Sequence, residues 1–222
     1  MRTRYLNSRI ASAEAMPQGA WNALAGRQPF LRHSFFGALH DSGSVGPRTG
    51  WTPRFLSLER AGAPVAALPL YEKTHSMGEF VFDWAWADAY HRAGLSYYPK
   101  LVTAVPLTPV PGARLLSVDA PAREALIEAA IEHARRSGLA SWHVLFARED
   151  EANALAAHGL LLRHGVQFHW RNDGYRDFQD FLDRLSRDNR KKIRQERRRV
   201  ADAGVALHRL AGTEITPELW RF

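Results

Sequence analysis

No cysteine occurs among the 222 residues. That excludes a disulfide framework, a thiolate zinc site and a cysteine nucleophile, and it suits a reducing compartment. The opening stretch MRTRYLNSRIASAEAMP is charged but lacks the apolar core of a secretory leader. The longest uncharged stretch of interest, 101–113, is too short and too rich in proline to cross a bilayer. A cytoplasmic location is the expectation. Neither H-x-x-x-H nor H-E-x-x-H spacing occurs, so no metal site is predicted. A G-x-S-x-G elbow for a Ser-His-Asp hydrolase is also missing.

Hydrophobic residues make up 45% of the chain and charged residues 24%, which argues against disorder and for a sizeable core. The length suits one large domain or two small ones. Apolar spacing and turn residues predict a first strand near Tyr5–Ala11 and a helix over Pro17–Ala25. A second helix opens at Pro29, carries Phe30, Leu31, Phe35 and Leu39, and stops at Gly43. Two β-like runs, Arg54–Arg60 and Val65–Lys73, flank the turn at 61–64, with Pro69 marking an edge or a bulge. Further strands are expected at 79–84, 101–106, 114–118, 142–147, 160–171 and 205–210. A helix over Pro121–Ser137 is capped by Asp119 and ended by Gly138. Shorter helices are expected at 85–93 and 150–158 and around Phe178–Leu185. The hairpins and strand–helix–strand pieces together predict an α/β chain with a sheet of mixed direction flanked by helices.

Acids, histidines and aromatics are densest in 75–91. Glu79, Asp83 and Asp88 are the candidate general bases there. On a strand, Glu79 and Asp83 would share a face about 13 Å apart, too far for a paired-carboxylate hydrolase. The competing reading makes Phe80, Phe82, Trp84 and Trp86 core residues, with Asp83 capping a helix. Lys100, after Tyr97-Tyr98-Pro99, is either an anion-binding residue or a strand-edge lysine. The only R-x-x-G-x-A match, Arg135–Ala140, closes a helix instead of opening one, so it is set aside as a coenzyme A loop.

Formal net charge is +7, and the excess is local: 184–199 holds nine Lys/Arg against Asp188 and Glu196. Arg187, Arg190, Lys191, Arg194, Arg197 and Arg198 line one helical face behind a cap at Ser186. Such a face seats phosphate, in a nucleotide, RNA or lipid head group; its alternative is a solvated, self-repelling helix. Thr216-Pro217-Glu218 resembles a helix start. The chain stops six residues after Thr216, so truncation partway into a second domain is expected.

His75-Ser-x-Gly-Glu-Phe-x-Phe-Asp-Trp-x-Trp-Ala, Tyr98-Pro-Lys-Leu, Pro106-x-Thr-Pro-Val and Phe168-His-Trp-Arg-Asn-x-Gly-Tyr resemble a family of predicted N-acyltransferases labelled peptidoglycan biosynthesis or recognition proteins. That family is similar to Fem-type aminoacyl transferases, which carry two acetyltransferase-like (GNAT) domains in tandem. The resemblance implies a GNAT-like first domain over 1–165. Residues 166–222 would then hold a basic helical segment and the start of a second, similar domain. It also implies acyl or aminoacyl transfer to an amine, with cell-wall precursor metabolism as the expected setting. No cofactor is expected in these residues; acyl-CoA or aminoacyl-tRNA is the implied donor of a longer protein. Partners would carry phosphate: aminoacyl-tRNA, acyl-CoA or a lipid-linked precursor, with peripheral contact to an anionic membrane and no DNA. The other reading is a non-catalytic module that binds RNA or anionic lipid through the basic helix.

Overall fold

The computed structural model describes residues 7–11, 16–219 and 221. Tyr5 and Leu6 of the first expected strand, and Trp220 and Phe222, lie outside the described residues. The chain divides into two compact units, Met1–Gly165 and Val166–Phe222.

The first unit is α/β. Among the described residues, eight strands form two four-stranded sheets, ordered β1-β3-β4-β7 and β2-β5-β6-β8. Their spans are β1 Asn7–Ala11, β2 Trp51–Pro53, β3 Phe55–Arg60, β4 Ala63–Leu68, β5 Leu70–Lys73, β6 Lys100–Thr103, β7 Leu116–Ser117 and β8 Trp142–Val144. One long hairpin runs through both sheets. Its two arms break opposite one another, at Arg54 between β2 and β3 and at Pro69 between β4 and β5. Proline has no N–H for a ladder, so the expected irregularity at Pro69 is where the arm passes from one sheet to the other. The Arg54 amide still donates to the Leu70 carbonyl at 2.7 Å and ties the two halves.

All pairings are antiparallel except β6 with β8, which are parallel and joined through helix α4, Ala120–Ser137. Successive strand residues go to opposite faces. Leu56, Leu58, Ala66, Leu68, Leu70 and Leu101 pack with Leu126, Ile127 and Ala130 of α4. Phe55, Ala67, Tyr71 and Val102 pack on the other side with Trp21, Leu31 and Phe36. Trp21 and Phe36 come from helices α1, Gln18–Ala25, and α2, His33–Asp41, and Leu31 from the single turn Pro29–Leu31 between them. Asp119 caps α4 by accepting from the Ala122 amide at 2.8 Å, and Gly138 ends it at φ 67°. Arg135–Ala140 therefore presents carbonyls, which repel phosphate.

Helices α3, Trp84–Arg92, and α5, Glu149–Ala157, also belong to this unit. The second unit holds α6, Phe178–Asp183, and α7, Arg187–Asp202. No helix among the described residues is long and apolar enough to cross a membrane.

Three expected strands are absent. Residues 79–83 form an irregular loop, and neither 160–171 nor 205–210 forms a strand. In the last two the apolar side chains that suggested a strand face solvent: Leu161 is 99% exposed, Phe168 96% and Leu207 88%. Periodicity signals a strand only where a neighbouring edge can take its hydrogen bonds. The expected helix start at Thr216 is a single turn, closed by the Leu219 amide on the Thr216 carbonyl at 3.1 Å.

Candidate active site

Across the β5–β6 ladder Lys73 stands opposite Lys100. Both are fully buried. Like charges facing each other in a sheet repel, and burial adds a desolvation cost to each. Compensation comes from the loop after β5. Glu79 and Asp83, 2% and 1% exposed, both reach the Lys100 ammonium. Nζ donates to Glu79 Oε2 at 2.9 Å, to Asp83 Oδ2 at 2.6 Å and to Ser76 Oγ at 2.9 Å, so each of its three protons has an acceptor. Tyr97 donates its hydroxyl to Asp83 Oδ2 at 2.6 Å, and the Tyr98 hydroxyl lies 2.6 Å from Ser76 Oγ. The Tyr97 and Tyr98 rings flank the same ammonium, with centroids 5.0 and 5.5 Å from Nζ.

Two sequence expectations are corrected here. Residues 79–83 are not a strand, so Glu79 and Asp83 do not stand about 13 Å apart; they share one nitrogen. Lys100 is not a strand-edge lysine on the surface; it is the centre of the cluster. The loop is irregular because its polar side chains are drawn inward, and Phe80 and Phe82 take φ of 60° and 50° to allow it. Gly78, at φ 81°, completes the turn. A Cβ there would come within 2.6 Å of the Leu107 side chain.

Lys73 has a poorer set of partners. Its Nζ donates to the Met77 carbonyl at 3.2 Å and lies 3.8 Å from the centre of the Trp51 ring. Burial pulls its pKa down to about 8, with Glu79 pulling upward and Lys100 downward. Burial raises the Glu79 pKa, against the hydrogen bond from Lys100. For Asp83 burial also pushes upward, but the hydrogen bonds from Lys100, Ser76 and Tyr97 win and hold it at about 2. Tyr97 is held as the neutral phenol, by burial first and then by its bond to Asp83. His143 on β8, whose ring centre lies 6.0 Å from that of Tyr97, is lowered to about 4, chiefly by burial and then by Lys100.

The arrangement therefore sorts its groups: Asp83 ionised, Tyr97 and His143 neutral, Lys73 near its midpoint at slightly alkaline pH, and Glu79 with raised proton affinity. Glu79 Oε1 and Asp83 Oδ1 are buried and accept no hydrogen bond within the structure. Buried acceptors are nearly always satisfied, so two orphans on adjacent carboxylates point to chemistry.

Asp88 does not join this cluster. It lies exposed on α3 and pairs with Arg92. Phe80, Phe82, Trp84 and Trp86 are not core: they are 49%, 74%, 56% and 55% exposed. Asp83 occupies the α3 cap position, but its side chain serves Lys100 instead of the helix amides. Lys73, Ser76 and His143 were missed by sequence reasoning. The available signal was Lys73 itself, a charge at the end of the strand-like run 65–73.

In the second unit the predicted basic face divides. Arg190 pairs with Asp183 at 3.1 Å, Arg194 donates to Gln179 at 3.0 Å, and Arg197 stacks over Phe178 at 4.5 Å. These three hold α7 against α6. Arg187, Lys191 and Arg198 are exposed. Among the described residues no three His, Asp or Glu side chains gather as a metal ion requires.

The His75–Trp84 and Tyr98–Leu101 segments thus meet on one ammonium. A family model described as FemAB-like, peptidoglycan biosynthesis/recognition, matches residues 12–222. No curated protein and no solved structure matches the chain. With nearly its whole length matched, the chain belongs to the FemAB-like family of peptidoglycan biosynthesis/recognition proteins.

Proposed function

We propose that this chain takes part in N-acyl or aminoacyl transfer to an amine of a cell-wall precursor, in the cytoplasm. The first unit would be a GNAT-like domain, and the second the beginning of another. The observation that carries this reading is the meeting of two acids on the buried Lys100 ammonium, with a second buried lysine, Lys73, opposite it across the ladder. Acyl transfer needs a base to take a proton from the attacking amine. Glu79 suits that role, because burial raises its proton affinity and Oε1 has no donor. The amine nitrogen attacks the acyl carbonyl carbon, and Glu79 takes the proton that nitrogen sheds. The electron pair of the breaking C–O or C–S bond leaves with the tRNA hydroxyl or the coenzyme A sulfur. Asp83 and Lys100 act as a fixed ion pair that positions Glu79. Glu79 is 2% exposed, so the amine reaches it when the 76–83 loop shifts.

A second reading rests on α7, which buries none of its residues. Arg187, Lys191 and Arg198 form an exposed cationic row suited to the phosphates of an aminoacyl-tRNA, another RNA or an anionic lipid, with or without catalysis.

The transfer reading is tested on the complete polypeptide with labelled aminoacyl-tRNA or acyl-CoA and a lipid-linked muropeptide precursor. Amide formation should fall by roughly a hundredfold or more in Glu79→Gln, and stay near the parent rate in Asp88→Asn. A Glu79→Gln protein as fast as the parent would remove Glu79 from the mechanism.

A further inference from the structure

Residues 77–87 invert the usual order of a surface segment. Their only two charges, Glu79 and Asp83, are buried, while four aromatic rings face outward. Phe80 and Phe82 hold this inversion with positive φ, a region that bulky L residues avoid. The apolar surface continues. Met77 is 64% exposed, and Leu107 and Val110 are exposed on the neighbouring uncharged loop. That loop abuts this one, since the Leu107 amide donates to the Gly78 carbonyl at 3.3 Å.

We propose that this patch seats the protein on the interfacial layer of a lipid bilayer. Three observations choose that occupant. First, the polar cluster behind the 76–83 loop is sealed: Ser76 is 6% exposed, Glu79 2%, Asp83 1% and Lys100 0%. A glycan or peptide stacking on the rings would find none of these to bond, whereas a bilayer boundary asks for no such partners. Second, the patch combines Trp with Phe, Met and Leu, and amphipathic rings among aliphatic groups settle at the boundary between head groups and acyl chains. Third, the first unit, which carries the patch, has 17 Lys/Arg against 14 Asp/Glu, and this modest positive excess adds attraction to an anionic leaflet. An apolar patch of this kind, on a protein with no membrane-crossing helix among its described residues, makes a reversible surface contact.

The proposal concerns lipid contact alone and does not depend on acyl transfer. The probes are vesicles of phosphatidylcholine with phosphatidylglycerol, and of phosphatidylcholine alone, each with acyl chains brominated for tryptophan quenching. The full chain should sediment with both, more strongly with the anionic ones, and its fluorescence should be quenched. Replacing Phe82, Trp84 and Trp86 together with Ser should weaken partitioning by roughly tenfold or more per ring removed. Phe82→Asp alone should weaken it measurably with an unchanged circular dichroism spectrum. Trp84→Phe with Trp86→Phe should keep binding but lose most of the quenching, a result that misfolding does not give. Arg187→Ser, Lys191→Ser and Arg198→Ser together should leave binding to pure phosphatidylcholine intact. The proposal is overturned if the parent ignores both vesicles or the ring variants bind like the parent. It also falls if lipid-free ultracentrifugation shows self-association that the ring variants abolish, because the patch would then be a protein contact.

Discussion

Lys73 and Lys100 face each other across the same ladder, yet their surroundings treat them differently. Lys100 has an acceptor for every proton, while Lys73 has one carbonyl and the face of Trp51. A lysine whose pKa is depressed to about 8 on folding favours the folded state most at high pH. Its contribution is full above the ordinary lysine value and is lost as pH falls through about 8. Asp83 behaves likewise at the acid end, with its contribution lost as pH falls toward about 2. Glu79 has the opposite sign: its raised pKa helps folding below the ordinary carboxyl value, and that help fades as pH rises. Replacing Lys73 with Met should therefore stabilise the protein at pH 7 by about 1–2 kcal/mol. The gain should shrink by pH 10, where the native amine is already neutral. Urea unfolding at the two pH values is the measurement; an equal gain at both, or a loss at pH 7, would show that the charge on Lys73 is stabilising. Glu79, Asp83 and Lys100 stood out in the sequence as acids and a lysine among aromatics, and the structure brings these three side chains together. The sequence could not show that Asp88 stands apart from the cluster, because that depends on the irregular path of the 76–83 loop into α3.

Elements with their own local punctuation were readable in advance. Helix α4 begins at a capping Asp119 and ends at Gly138, and its buried face is the one its 3.6-residue period prescribes. The hairpin was legible from its turn and Pro69. The 76–83 loop was not, because alternation of acids and aromatics reads as a strand whichever set lies inside. Tertiary charge pairing decided the matter. Helix α5 shows a similar hidden tie. Glu151, in its first turn, is fully buried and accepts from the backbone amides of Arg114 and Leu115 at 2.8–2.9 Å, and from that of Arg148 at 3.3 Å. Arg114, also buried, spends its guanidinium on the carbonyls of Val110, Ala113 and Leu145. One carboxylate thus fastens the approach to β7 onto the start of α5. Glu151→Ala leaves buried amides without an acceptor and should cost about 3 kcal/mol in thermal or urea unfolding. An unchanged midpoint would mean that these amides find another partner. Nothing in the sequence announced this role, since Glu149-Asp150-Glu151 reads as an ordinary acidic first turn.

Charge is spread unevenly over the whole chain, and helix α7 shows what its cationic excess does. The sequence counted cations correctly but treated them as one face. The structure assigns Arg190, Arg194 and Arg197 to α6 through a carboxylate, an amide and an aromatic ring. Arg187, Lys191 and Arg198 remain exposed, at steps of four and seven residues, a row spanning about 16 Å along the helix. The two rows should respond differently to the same substitution. Changing Arg190, Arg194 and Arg197 to Ser should loosen α7 from α6 and speed proteolysis within 166–222. Changing Arg187, Lys191 and Arg198 to Ser should leave proteolysis unaltered and weaken binding to single-stranded RNA. Each phosphate contact releases a counterion, so the slope of log affinity against log salt should flatten by about 2 when the outer row is removed. A slope that stays the same would mean that the outer row does not meet phosphate. The α7 charge would then be a solvated face whose self-repulsion is relieved only by the inner contacts to α6.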